Sequence, residues 1–144
     1  MKMNVEKLKK LFGETNKSLN TLRKLAQLHT RELLENEANL DRVKYNFIIA
    51  IQSLIDICNH IVAKSHGRPP QDYADCFKAL SELDVIDSDL SARLSQMAKF
   101  RYLLIHLYWQ VDNRKVCYIL KQNLKDFDQF LTTISLYLRD ELLK

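Results

Sequence analysis

"FIIAIQSLIDICNHIV", residues 47–62, decides the fold. It holds Phe47, Ile48, Ile49, Ile51, Leu54, Ile55, Ile57, Ile61 and Val62, so a helix built from it is apolar almost all round. Such a helix is stable in water only when other elements cover most of its circumference. Gln52, Asp56, Asn59 and His60 interrupt the run at i, i+4, i+7 and i+8, a narrow polar stripe that argues against a membrane span. Two readings of the stripe stand. It is either a hydrogen-bonded network that fixes helix packing or one wall of a polar cleft.

The rest of the chain supplies the covering helices. Two glycines and two prolines in 144 residues leave few sharp turns, which favours long helices over a sheet of hairpins. Val5, Leu8, Phe12, Thr15, Leu19, Leu22, Ala26, His29 and Leu33 recur three and four apart. This predicts one helix over 4–35 running through Gly13, with a break at Gly13 as the alternative. A second long helix is expected over 40–65, capped by Asn39 or Asp41 and stopped by Gly67, Pro69 and Pro70. A short helix begins at Gln71 or Asp72 and turns Phe77, Leu80 and Leu83 inward. A fourth covers 89–109 from a cap at Asp87 or Ser88. A last one covers 114–142, with Val116, Ile119, Leu120, Leu124, Phe127, Leu131, Ile134 and Leu138 inside. The pattern predicts an all-α bundle of about five helices, one of them short, in a single domain over 1–144.

An apolar fraction of 47% with 28% charged residues is ordinary soluble composition. The net charge of +4 is uneven: residues 1–24 carry +5 and the remainder −1. That basic face could meet nucleic acid or an acidic protein, or simply be a solvated lysine-rich surface. Cys58, Cys76 and Cys117 are odd in number and far apart, which predicts free, mostly buried thiols in a reducing cytoplasm and no zinc site. The opening "MKMNVEKLKKLFGE" lacks the unbroken apolar core of a secretion signal.

One segment carries more polar chemistry than packing requires. "RYLLIHLYWQVD", residues 101–112, sets Arg101, His106 and Tyr108 in an apolar run. On an ideal helix Arg101 and Tyr108 share a face, while His106 lies about 140° round from Arg101. A cleft that uses both therefore requires a local bend or a second copy of the helix. The packing alternative pairs Arg101 with a surface carboxylate and buries His106 as a hydrogen-bonded core residue.

Together with the helices before it, this segment resembles the HEPN superfamily. Within it, the chain is similar to the HepT-like ribonuclease toxins, paired with a minimal nucleotidyltransferase antitoxin in type VII toxin–antitoxin systems. The resemblance covers about residues 33–138. It rests on the Gln52–Asp56–His60 helix, on Pro70 and Tyr73 of a Pro-x-x-Tyr helix start with Phe77 and Leu80, and on Met97 and Phe100 before the arginine. It rests above all on the signature R-x4-H-x-Y, filled by Arg101, His106 and Tyr108.

The resemblance implies an all-helical bundle that forms a homodimer or higher homo-oligomer and brings two signatures to one cleft. It implies an endoribonuclease that cleaves RNA without a metal or other cofactor. Arg101 and His106 would be catalytic, and Tyr108 would be adenylylated by the partner nucleotidyltransferase to silence the toxin. Asp56, His60 and Tyr102 are candidates for cleft support. The family pattern favours asparagine where this chain has Tyr102, a ring that could stack on a base. A related HEPN group offers another implication, a non-catalytic subunit that binds a nucleotidyltransferase and presents substrate to it.

The residue types suit the chemistry. Histidine serves as acid or base near neutrality, and a guanidinium offers charge and a planar donor fork to phosphate oxygens. AMP on Tyr108 would add bulk and a negative phosphate.

Overall fold

The apolar stripe over residues 5–33 is carried by two helices and not by one. The computed structural model describes residues 2–142 and places α1 at Val5–Ala26 and α2 at Thr30–Glu35. Helix α1 passes through Gly13, where an added Cβ would meet no atom within 4 Å. The break falls instead at His29, which is extended (φ −64°, ψ 146°) and exposed. The Lys121 ammonium donates to the carbonyls of Ala26 and Leu28, which the end of α1 leaves without helical partners. A partner about a hundred residues away thus decides where the helix stops, and the local periodicity carries no sign of it.

Helix α3, Glu37–Lys64, is the one that the apolar run predicts. Its cap is Asn36, whose side chain accepts the Asn39 N–H at 3.0 Å, so neither Asn39 nor Asp41 caps it. Phe47, Ile51, Leu54, Ile55, Ile57 and Ile61 are fully buried. Around α3 pack α1, α4 (Asp75–Glu82) and α5 (Ser88–His106). By length and composition α3 could cross a membrane, yet 61% of its apolar window is buried inside the bundle. All three cysteines are free and buried, and the Cys58 thiol donates to the Cys76 carbonyl at 3.0 Å, tying α3 to α4.

The end of α3 turns the chain sharply. His66 takes the left-handed conformation (φ 56°), the His66 N–H reaches the Ala63 carbonyl, and the Gly67 N–H reaches the Val62 carbonyl at 2.8 Å. This is the Schellman arrangement, with histidine in the position glycine usually fills. Gly67 is required for a different reason. A Cβ there would lie 2.8 Å from Val62 Cγ1 and 2.9 Å from Leu83 Cδ1.

Three further boundaries differ from the sequence expectation. Helix α4 starts at Asp75, not at Gln71 or Asp72, and the Asp72 carboxylate accepts the Asp75 N–H at 2.7 Å. Phe77 and Leu80 point inward as expected, while Leu83 lies just past the helix end, half-buried. Helix α5 is capped by Asp87 as expected but stops at His106 rather than 109, and Tyr108–Gln110 form a 3-10 turn. The final helix is divided at Asn123 into α6 (Asn113–Gln122) and α7 (Leu124–Leu142). The division lets the buried Asp126 carboxylate meet Arg93 of α5, with Gln129 holding the same guanidinium at 3.0 Å. The described residues thus form seven α-helices and one 3-10 turn in place of five helices.

Phe47 of α3 meets Phe100 of α5 edge-on at 5.4 Å and Phe127 of α7 at 6.3 Å, linking three helices at the core. Overpacking a tight contact typically costs about 1–3 kcal/mol. Gly67→Ala should therefore lower the urea midpoint by an amount in that range with an unchanged m-value. An unchanged midpoint would show that Val62 and Leu83 yield freely.

Candidate active site

The segment that holds Arg101, His106 and Tyr108 ends one helix and begins a turn. Leu107 leaves the helical region (φ −130°, ψ 38°), so His106 is the last residue of α5 and its ring is exposed. Arg101 and His106 nevertheless line the same open cleft of about 500 Å³, together with Asp72, Tyr73, Ala74, Ala98, Lys99 and Tyr102. No bend in α5 is needed. Ala98, Tyr102 and His106 follow one another at i, i+4 and i+8, and the long Arg101 side chain enters from the flank of that face.

Arg101 is neither exposed nor paired. It forms no ion pair among the described residues, and its Nε is buried without a hydrogen-bond partner. Its guanidinium instead stands over the Tyr73 ring, 5.0 Å from the centroid. The packing alternative, a surface carboxylate for Arg101, is not what the fold provides. Nor is His106 a core histidine, for its ring leans on Tyr102 with centroids 4.4 Å apart and a tilt of 41°. A cation with unspent donors beside an accessible imidazole is the arrangement a phosphate ester would find.

The wall opposite α5 is set by a turn of charged residues. Arg68 grips Asp75 with two hydrogen bonds of 2.7 and 2.9 Å and reaches Glu82 at 2.6 Å. The Arg68 hydrogen bonds, with the Gln71 N–H adding to them, hold the Asp75 carboxyl well below the usual carboxylate range. Ser95 Oγ donates to the Ala74 carbonyl at 3.0 Å, fastening the same turn to α5. Tyr73 is thereby held across from Arg101. The sequence marks Tyr73 as a motif residue, but its place against the arginine comes only from this packing.

Tyr108 lies outside the cleft lining. Its hydroxyl donates to the Asp41 carboxylate of α3, and Lys44 Nζ stands over its ring at 4.4 Å. Burial first, and then the hydrogen bond to Asp41 and the charges of Asp41 and Glu37, push the Tyr108 hydroxyl up to about 12. Asp41 and Lys44, which touch Tyr108 and line no part of the cleft, are contacts that sequence reasoning missed. Their i, i+3 spacing puts them on one face of α3, yet nothing local links that face to a tyrosine 67 positions on.

Of the proposed supports, Tyr102 is in the cleft, whereas Asp56 and His60 line a second depression with Lys7, Leu11, Asn59 and Ala63. The Gln52 amide donates to Asp56 at 2.8 Å, and His60 Nε2 accepts the Asn4 N–H at 3.0 Å, at the start of α1. Much of the polar stripe is thus spent on hydrogen bonds. Among the described residues no group of three or more His, Cys, Asp or Glu is placed to hold a metal ion.

Comparison with known proteins gives a consistent picture. A family model described as ribonuclease HepT-like matches residues 4–134, so the match extends through α1. The chain is 31% identical over 94 residues to the mRNA nuclease HepT of Shewanella oneidensis, covering 65% of this chain and 71% of that protein. Its fold is similar to that of a tri-AMPylated HEPN toxin of Shewanella oneidensis solved in complex with MNT antitoxin. The TM-score is 0.84 at 22% identity, over 90% of this chain and 96% of that one. It is equally similar to a cytosolic protein of Bacillus subtilis, with a TM-score of 0.85 at 19% identity over 97% and 94% of the two chains.

Burial, with the Lys7 and Lys64 charges adding to it, lowers the His60 pKa from the ordinary 6.5. Protonation would also remove the acceptor of the Asn4 N–H. Stability from this group is complete above pH 6.5 and is lost as pH falls through the lower folded-state value. The unfolding midpoint should therefore drop between pH 7 and pH 5, and less steeply in His60→Gln. Equal slopes in the two proteins would show that His60 does not couple to folding.

Proposed function

This chain belongs to the HepT-like ribonuclease family, and we propose that it is an endoribonuclease toxin of a type VII toxin–antitoxin pair, acting on RNA in the cytoplasm. Arg101 and His106 are its catalytic residues, no metal takes part, and a second copy of the chain completes the cleft. A partner minimal nucleotidyltransferase silences it by adenylylating Tyr108. The observation that carries this reading is the pairing of an exposed His106 with a carboxylate-free Arg101 on one open cleft.

The chemistry follows from those two groups. Cleavage begins when the 2′-hydroxyl attacks the adjacent phosphorus, which requires removal of its proton. It ends when the 5′-oxygen departs with a proton, and one imidazole near neutrality serves either step. A second His106 from another copy allows acid and base to be present at once. Arg101 supplies charge where the pentacoordinate phosphate becomes more negative, and its planar fork suits two phosphate oxygens. Tyr73 and Tyr102 present ring faces on which an unpaired base can stack.

The relatives support the nuclease and antitoxin parts of the reading. The Shewanella protein is an mRNA nuclease, and the fold neighbour is an AMPylated toxin held by an antitoxin. Tyr102 in place of asparagine favours the second reading, a non-catalytic subunit that presents substrate to a nucleotidyltransferase. A cleavage assay separates the two. Purified, unmodified protein is expected to cut RNA with EDTA present. His106→Ala should lower the rate roughly 10²–10⁴-fold, and Arg101→Ala about 10²–10³-fold. Intact RNA with the wild-type protein would favour the substrate-presenting subunit. Cutting that persists in both variants, or that needs a divalent metal, would refute the assignment. A mass increase by AMP units on co-expression, absent in Tyr108→Phe, tests the modification separately.

A further inference from the structure

The surroundings of Tyr108 are more elaborate than an exposed acceptor side chain requires. The 3-10 turn that holds it is folded back onto the first turns of α3, where Glu37, Asp41 and Lys44 follow one another at i, i+4 and i+7. The Tyr108 hydroxyl donates its hydrogen bond to Asp41. Lys44 is buried, with its ammonium over the ring, and it forms no ion pair among the described residues. A carboxylate thus holds the phenolic proton, and a cation without a carboxylate partner stands over the same ring.

We propose that Asp41 is the proton acceptor for adenylylation of Tyr108 and that Lys44 provides the positive charge for the incoming phosphate, so that this chain supplies part of the machinery for its own silencing. The proposal rests on the reading of Tyr108 as the acceptor. In the step, Tyr108 Oη attacks the α-phosphorus of ATP held by the nucleotidyltransferase. The bond from that phosphorus to the oxygen bridging the β-phosphate breaks, pyrophosphate leaves with the electron pair, and the phenolic proton passes to Asp41. Atoms and charge balance with ATP as the only co-reactant.

Two physical points favour Asp41 in this role. A phenol held well above its ordinary pKa is fully protonated near neutrality, so the attacking oxygen needs a base in contact. Asp41 is that contact already, before any partner docks. Once the phosphodiester forms, the oxygen has no proton left to donate, and the new anion faces the carboxylates of Asp41 and Glu37. Lys44 is the neighbouring cation able to offset that charge.

The test is the rate of AMP incorporation from ATP, read by intact mass between pH 6 and 9 with a minimal nucleotidyltransferase that modifies the wild-type chain. Asp41→Asn keeps the size and a hydrogen-bonding side chain but cannot take the proton. It is expected to slow incorporation about 100-fold at pH 7. Its rate should then rise roughly tenfold per pH unit where the wild-type profile is flat, since only phenolate can now attack. Lys44→Gln should slow incorporation while Lys44→Arg restores it, and RNA cleavage by unmodified Asp41→Asn should match wild type. Incorporation by Asp41→Asn at the wild-type rate, or slowed equally at every pH, would overturn the proposal. So would a parallel loss of RNA cleavage, which marks a structural role. Undiminished AMP incorporation into Tyr108→Phe would overturn the reading of Tyr108 itself, and this inference with it.

Discussion

The burial of α3 is the constraint on which the rest of the structure depends. A 28-residue helix with apolar residues on nearly every side cannot stand in water, so α1, α4 and α5 must close around it. Each fully buried isoleucine, leucine or phenylalanine contributes roughly 1.5–3 kcal/mol, and α3 carries many of them. That wrapping is also what sets the site. Helix α5 lies on α3 through Phe47 and Phe100, which places Arg101 one position beyond a fixed core contact. The turn after α5 then lands on the start of α3, where Asp41 receives Tyr108. The cleft and the Tyr108–Asp41 contact are therefore two ends of one packing arrangement.

How far the sequence alone reaches depends on whether the deciding interaction is local. The all-α class, the presence of a long buried α3 and a cap at Asp87, one of the two expected, follow from periodicity and side-chain type, and the structure carries them. Two breaks do not follow, because tertiary partners cause them. Lys121 takes the carbonyls near His29, and Arg93 draws in Asp126 just beyond Asn123. In both places the apolar phase continues across the break, so counting three and four cannot reveal it. Gly67 illustrates a subtler case. Its position after the helix suggests a left-handed residue, yet His66 fills that role and Gly67 answers to the Val62 and Leu83 side chains.

The site shows the same division. Arg101, His106 and Tyr108 stand out because an apolar helix has no packing use for them. Their separation on an ideal helix suggests two directions, and the structure resolves it through side-chain length and the width of the Tyr102–His106 face. Asp41, Lys44 and the placement of Tyr73 come from long-range packing that no short pattern encodes. Asp56 and His60 sit together as the sequence suggests, but their bonds serve the Gln52 amide and the start of α1.

The central claim is that Arg101 and His106 cleave RNA through its own 2′-hydroxyl. The chemistry of the new ends tests it most directly. Mass spectrometry of a short RNA cut by the purified protein should find a 2′,3′-cyclic phosphate on one fragment and a 5′-hydroxyl on the other. A substrate with a single 2′-deoxy sugar at the scissile position should stay whole. Fragments ending in 5′-phosphate and 3′-hydroxyl, or cleavage of the deoxy substrate, would contradict the account.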